Sequence, residues 1–270
     1  MLSVSSTQQL PSPLVQAGTC ELNPRFKHQA ALVGLCFDNR SLEEVNRELQ
    51  ERCFQADCDF YKKGGENPRF QMSFSQAEEF LNDDYSDRPA LYPQDKNMGT
   101  CILFGGVPAT VEKRVHSLAQ ALENGYTFDR MIATSPDPKG AIAIERLLRP
   151  LCSRSSFEEH LLINPQPTVG WTEEALRVIK ARDIKGRVTL ITDPFFAEKQ
   201  LALVVSAFGS EQSNGCVSVP MYDWRQEMKL YGYDDAAFGS SEKATIAWAQ
   251  SAWNFKAREM HYEMKQLDKS

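Results

Sequence analysis

Between Thr100 and Gly209 short apolar runs alternate with stretches of helical period, and this alternation restricts the fold more than any other feature of the chain. The runs are Thr100-Cys-Ile-Leu-Phe104, Arg130-Met-Ile-Ala-Thr134, Leu161-Leu-Ile-Asn164 and Arg187-Val-Thr-Leu-Ile-Thr-Asp193, with Cys216-Val-Ser-Val219 beyond Gly209 as a fifth. Each is too short for a helix. Each is apolar at consecutive positions, the pattern of a strand covered on both faces. The stretches between them carry apolar residues at helical spacing: Val111, Val115, Leu118 and Leu122, then Ile142, Ile144, Leu147 and Leu148. Ala175, Leu176, Val178 and Ile179 follow, and finally Leu201, Leu203, Val204, Val205 and Phe208. Strands joined through helices pair in parallel and need helical cover. The expected class is α/β: an open, mostly parallel sheet of about five strands with helices on both faces.

The flanks read differently. Residues 1–18, rich in Ser, Gln and Pro, have the composition of a loose arm. Residues 26–37 are apolar without a clear period. Ser41-Leu-Glu-Glu44 is a capping box, in which serine and glutamate side chains each satisfy a backbone N–H of the first turn. It predicts a helix to about Lys62, buried through Leu42, Val45, Leu49, Cys53 and Phe54. Ser75-Gln-Ala-Glu78 repeats the pattern before Phe80 and Leu81, and residues 82–97 read as a polar connector. Residues 1–97 are therefore expected to form a helical N-terminal layer. Residues 98–270 are expected to form the α/β domain, with an aromatic loop segment from Tyr222 to Tyr233 and a long helix from Ala244 to about Leu267. The Tyr/Trp cluster of that segment serves either core packing or the stacking of a planar ligand.

Composition excludes several classes. A formal net charge of -6 provides no global field for nucleic acid, and no such partner is expected. No run is long and apolar enough for a membrane span, and the N-terminus lacks the basic-then-apolar pattern of a secretory signal. The seven cysteines are odd in number and form no CxxC pair, which fits reduced thiols and a cytoplasmic location. Cys101 reads as a small apolar core residue. Cys53 and Cys58, close on one predicted helix, are either a metal or redox pair or two unrelated thiols. His28, His116, His160 and His261 stand far apart and outside any HExxH pattern, so no metal is expected. The G-x-S-x-G elbow of α/β hydrolases is absent from the sequence.

In an open parallel sheet, ligands bind outside the carboxyl ends of the strands. That rule selects four loops. Gly105-Gly106 follows the first run; glycine lets a backbone approach a ligand closely, and the next helix N-terminus favours an anion. A tight strand-to-helix turn would require the same glycines. Thr134, Ser135 and Asp137 follow the second run. Asn164, Gln166 and Thr168 follow the third, with Glu173 on the next helix. Thr192 and Asp193 close the fourth, ahead of Lys199 and Gln200. A carboxylate placed like Asp193 can accept from ribose hydroxyls, hold a metal, act as a base, or cap its own helix. Glu173 can act likewise or complement a helix dipole. Lys113 and Arg114 are expected on the polar side of the first helix, within reach of an acidic ligand.

The order of these loops resembles the family of unknown-function domains typified by YdcF and SanA, over roughly residues 100–209. Phe104-Gly105-Gly106 and Arg114-Val115 match its strand-Gly-Gly and helix start. Gly170-Trp-Thr-Glu-Glu174 matches its N-T-x-E-N stretch, with Glu173 at the glutamate. Val188-Thr-Leu-Ile-Thr192 matches its T-S-x-x-H-x-x-R strand end, with Phe196 in place of the histidine and Lys199 in place of the arginine. Trp171 and Glu174 replace polar motif residues. The resemblance implies a Rossmann-like domain and a nucleotide-like cofactor such as S-adenosylmethionine.

Two functions follow as expectations. The first is a small-molecule site for a nucleotide-like or phosphate-bearing ligand, serving a transfer or hydrolytic reaction. Gly105, Gly106, Ser135, Thr168 and Thr192 would line it, Arg114 and Lys199 would steady the anion, and Asp193 or Glu173 would act as general base. The second is a non-catalytic interaction protein on the same scaffold, with a protein partner on its helical and aromatic surfaces.

Overall fold

The computed structural model describes residues 14–15, 21–52, 72–86, 88–152, 157–162 and 171–267. Thr168, Cys53, Cys58 and the expected helix beyond Arg52 lie outside the described residues. Among the described residues, no helix is long and apolar enough to cross a membrane.

The chain divides into two compact units. In the first, β1 (Thr100–Phe104), β2 (Arg130–Ser135), β3 (Phe157–Leu162), β4 (Val188–Thr192) and β5 (Ser213–Ser218) form one sheet. Their order is β3-β2-β1-β4-β5, and every neighbouring pair is parallel. Every residue of β1 and β4 is buried, as a sheet covered on both faces requires. The expected α/β class and its strand runs are therefore present. Between the strands run α4 (Pro108–Glu123), α5 (Pro138–Ala143), α6 (Trp171–Lys180) and α7 (Ala197–Phe208).

The chain moves outward from β1 to β3, then returns to β1's other side with β4. Right-handed crossovers then place α4 and α5 on one face and α6 and α7 on the other. On the α4 face, Val111, Val115, Leu118 and Ala121 cluster with Cys101, Leu103, Met131, Ala133, Ile191 and Val217. Burial pushes the Cys101 thiol well above its ordinary value, so it is an inert core residue.

Some boundaries differ from the sequence expectation. β3 starts at Phe157, four residues before the apolar run, because Phe157 already pairs with Met131. The second helix is not one α-helix over residues 141–151. It begins at Pro138, with Asp137 accepting a hydrogen bond from Lys139 N at 3.2 Å. It then widens into a π turn over Ile144–Leu148 and tightens into a 3₁₀ turn over Arg149–Leu151. Ile144 and Leu148, four apart, take the core side. That puts Ile142, two residues ahead of Ile144, on the opposite side, where it is 68% exposed rather than buried.

The second unit gathers the described residues of Leu10–Asp87 and Tyr222–Ser270. It holds α1 (Pro24–Leu32), α2 (Leu42–Arg52), α3 (Phe74–Ser86), α8 (Trp224–Leu230), α9 (Asp235–Phe238) and α10 (Ser241–Leu267). The expected division at residue 97 is corrected here: the C-terminal helix joins the N-terminal helices, not the sheet. Trp253 of α10 stacks on Phe26 at 5.5 Å and meets Phe80 edge-on at 5.9 Å, all in one core. Leu14 and Val15, placed by composition in a loose arm, are buried in that core.

The capping box at Ser41 and Glu44 forms in both directions, at 2.9 and 3.3 Å. The second box sits two residues earlier than expected, between Ser73 and Gln76. Nor does a connector begin at residue 82, since α3 continues to Ser86 and buries Asp84 in an ion pair with Lys256 at 2.7 Å. In the aromatic segment, Tyr231 and Tyr233 pack on Trp248 at 5.6 and 5.1 Å. Of its two readings, core packing describes these contacts.

Candidate functional site

The strand order reverses between β1 and β4, and in doubly wound sheets ligands bind outside the carboxyl ends at such a point. Here that point lies between the Gly105-Gly106 loop after β1 and the Asp193 turn after β4. The two loops are bridged by side chains of α4. Arg114 donates through Nε to Asp193 Oδ2 at 3.0 Å and through Nη1 to the Gly105 carbonyl at 3.4 Å. Lys113 donates through Nζ to Asp193 Oδ1 at 3.4 Å. The Asp193 side chain is fully buried, and the Lys113 and Arg114 side chains are only 4% and 2% exposed. The Arg114 guanidinium also lies over the Phe196 ring at 5.2 Å.

This corrects the expectation that Lys113 and Arg114 lie on a polar helix face. Arg114 is three residues after Val111 and four before Leu118, so it belongs to the buried stripe itself. That spacing is legible in the sequence and signals a buried, partnered arginine. Lys113 lies four residues before the buried Ser117 on the next arc. Serine 117 receives a hydrogen bond from Val219 N at 2.9 Å and so ties α4 to the end of β5.

Asp193 does not cap α7, whose N-cap is Phe196 with no side-chain cap bond. Its Oδ1 accepts from Phe195 N at 3.2 Å and fixes the turn after β4. Burial alone would raise the Asp193 carboxyl. The charges of Lys113 and Arg114, with their hydrogen bonds, outweigh that effect and hold it below its ordinary value. A buried carboxylate with both oxygens engaged by cations suits holding those cations in place better than accepting a proton.

The remaining predicted residues divide clearly. Gly105 is a packing glycine: a Cβ there would lie 2.5 Å from the Thr134 carbonyl oxygen and 2.9 Å from Ser135 Cβ. Gly106 is not, because its Cβ would meet nothing closer than Thr110 Cβ at 3.4 Å. Ser135 is buried, its single hydroxyl proton lies between the Asp137 and Gly106 carbonyls at 3.0 and 3.4 Å, and its oxygen accepts from Asp137 N. Thr192 ties β4 to α7 by donating to Gln200 Oε1 at 2.8 Å. Lys199 is half-buried in the first turn of α7. Glu173 lies in the first turn of α6, and no hydrogen bond or ion pair joins it to Asp193 among the described residues.

Sequence reasoning passed over Gly140. A Cβ there would fall onto the Gly106 carbonyl and 2.6 Å from Ser135 Oγ, so the α5 backbone is seated directly against the β1–α4 loop. Thr134, which the strand-end rule selected but the expected lining did not include, has a hydroxyl buried near the end of β2 without a hydrogen-bond partner among the described residues.

The fold and this strand-end cluster define a Rossmann-like α/β unit. No family model, curated protein or solved structure matches the chain.

Proposed function

We propose that residues 88–221 bind a nucleotide-like or phosphate-bearing small molecule outside the carboxyl ends of β1 and β4. One observation supports this reading above the others: the reversal of strand order coincides with a glycine loop, a helix N-terminus and two cations anchored by one carboxylate. The ligand's anionic group would approach Gly106 and the start of α4, where backbone and dipole favour negative charge. Asp193 would be a positioning residue, with Ser135, Thr192 and Lys199 around it. The resemblance to the YdcF and SanA family makes S-adenosylmethionine the first cofactor to test, and transfer or hydrolysis the reaction class.

Gly106→Ala separates this reading from a purely structural one. The methyl has room in the fold, so the melting temperature should stay within a few degrees of wild type. It would occupy the space a bound phosphate needs, so affinity should fall at least about tenfold. Native mass spectrometry of the purified protein, then calorimetric titration with S-adenosylmethionine and common nucleotides, reads both. Unchanged affinity in the variant would remove Gly106 from the site.

A second reading, a non-catalytic interaction protein on this scaffold, draws on the mutual engagement of Lys113, Arg114 and Asp193 inside the fold. It requires that no small molecule co-purifies and that none of the titrations saturates.

A further inference from the structure

We propose that Asn124-Gly125, at the end of α4, is a site of spontaneous covalent modification. The Asn124 carboxamide deamidates to aspartate and isoaspartate, while the same dipeptide in β5, Asn214-Gly215, is spared. The sequence holds these two Asn-Gly pairs, and the dipeptide alone does not separate them. In both, glycine leaves its own backbone nitrogen unshielded by a side chain, the condition for attack on the preceding asparagine.

The reaction has two steps. The Gly125 backbone nitrogen gives its proton to hydroxide and attacks the Asn124 side-chain carbonyl carbon. The new C–N bond closes a cyclic imide, and the side-chain nitrogen takes a proton from water and leaves as ammonia. Water then adds to one of the two imide carbonyls and breaks its C–N bond. Opening at the main-chain carbonyl gives isoaspartate, with the chain now running through the side chain. Opening at the side-chain carbonyl gives aspartate. The balance is asparagine plus water to acid plus ammonia, with no change of oxidation state.

Ring closure needs the Asn–Gly peptide to rotate out of its native setting, so the rate follows local opening. Asn124 caps α4 with φ -82° and ψ 10°. Gly125 N and Tyr126 N donate to the Leu122 and Ala121 carbonyls, each at 3.0 Å, and Gly125 has φ 79°. That is a Schellman closure, and the reaction consumes its Gly125 N–H. The Asn124 carboxamide has to leave the Gln120 carbonyl and the Tyr92 hydroxyl, at 2.9 and 3.2 Å. These bonds close one helix end, where Glu123, Asn124 and Gly125 are all exposed. Fraying ends open at far smaller free-energy cost than core strands.

Asn214 is held differently. It is half-buried in β5, which pairs with β4. Its Nδ2 faces Thr189 Oγ1 at 3.2 Å and the Asp95 and Asn97 carbonyls, each at 3.5 Å. Thr189 gives its own proton to the Met98 carbonyl at 2.7 Å and so accepts from Asn214. Freeing this carboxamide parts β5 from β4 and from the segment ahead of β1. Openings of that kind approach the cost of global unfolding.

The product changes the helix end. Aspartate at 124 only accepts hydrogen bonds, so it opposes the Gln120 carbonyl, and its charge stands where the helix dipole disfavours an anion.

Peptide mapping by mass spectrometry tests this on folded protein held in mildly alkaline buffer, with a parallel sample in urea. In the folded protein, residue 124 should convert at least about tenfold faster than residue 214, the consequence of an easier opening. In urea the two rates should converge. Asn124→Gln should abolish the faster conversion, because glutamine closes its larger ring slowly. Equal rates in the folded protein, faster change at 214, or an intact Asn124 over the time in which both convert in urea overturns the assignment. A ratio in urea as large as in the folded protein overturns its structural cause.

Discussion

Asp193→Asn is expected to lower the unfolding free energy by about 3–5 kcal/mol, the usual loss when one partner of a buried ion pair is removed. The amide nearly matches the carboxylate in shape, so packing is preserved. What is lost is the counter-charge to Lys113 and Arg114, which are 3% and 1% exposed and have no ready access to water. Chemical denaturation followed by circular dichroism measures the change. A loss below about 1 kcal/mol, the scale of a surface pair, would mean that the cluster is far better solvated than its burial implies.

The same residue sets an acid limb. Its folded value lies below its unfolded one, so its contribution is complete above the unfolded value of about 3.9 and is lost as pH falls through the lower folded value. The stability gap between wild type and Asp193→Asn should therefore be widest near neutrality and close in strong acid. A gap independent of pH would contradict the ionised assignment.

Gly140→Ala is expected to cost about 3 kcal/mol, the upper part of the range for overpacking. Helix propensity alone predicts the opposite sign, a gain of about 1 kcal/mol for alanine over glycine inside a helix. The structure decides between them, because the new methyl falls on the backbone carbonyl of Gly106, which no side-chain rotation can move aside. Either α5 shifts away from the β1–α4 loop or that loop moves. Both changes disturb the Ser135 hydroxyl, which bonds the same Gly106 carbonyl. Gly106→Ala is the internal control, since its Cβ meets only ordinary contacts. Equal stability of the two variants would refute the close seating of α5.

Much of the α/β unit was legible in the chain. Largely apolar runs marked β1, β2 and β4 because a strand buried on both faces admits few polar side chains, and Thr189 inside β4 is satisfied by donating to the Met98 carbonyl at 2.7 Å. Boundaries were less legible where another force acts. Phe157 pairs with Met131 although polar residues follow it, and α5 gives way to a π turn ahead of Pro150. The assignment of α10 was also missed. A helix carrying Trp248, Trp253 and Met260 must bury them somewhere, but its sequence does not say against what.

The candidate site shows the same division. Gly105, Gly106, Ser135, Thr192 and Asp193 were found because strand ends in a parallel sheet are special whatever the partner. Their roles were not. Gly105 and Gly106 are adjacent and identical in sequence, yet one is required by packing and the other is not. That difference arises from the Thr134 carbonyl of the neighbouring strand, a contact set by sheet register.

By itself, the sequence determined the strand runs, the glycine loop and the residue types at the strand ends, because hydrophobic period and backbone freedom are local properties. Only the tertiary structure decided that Lys113 and Arg114 converge on Asp193, which lies 80 and 79 positions away in the chain. It also decided that the last helix packs with the first ones. Charge pairing and burial depend on which surfaces meet, and that is settled by the packing of distant elements rather than by any stretch of chain alone.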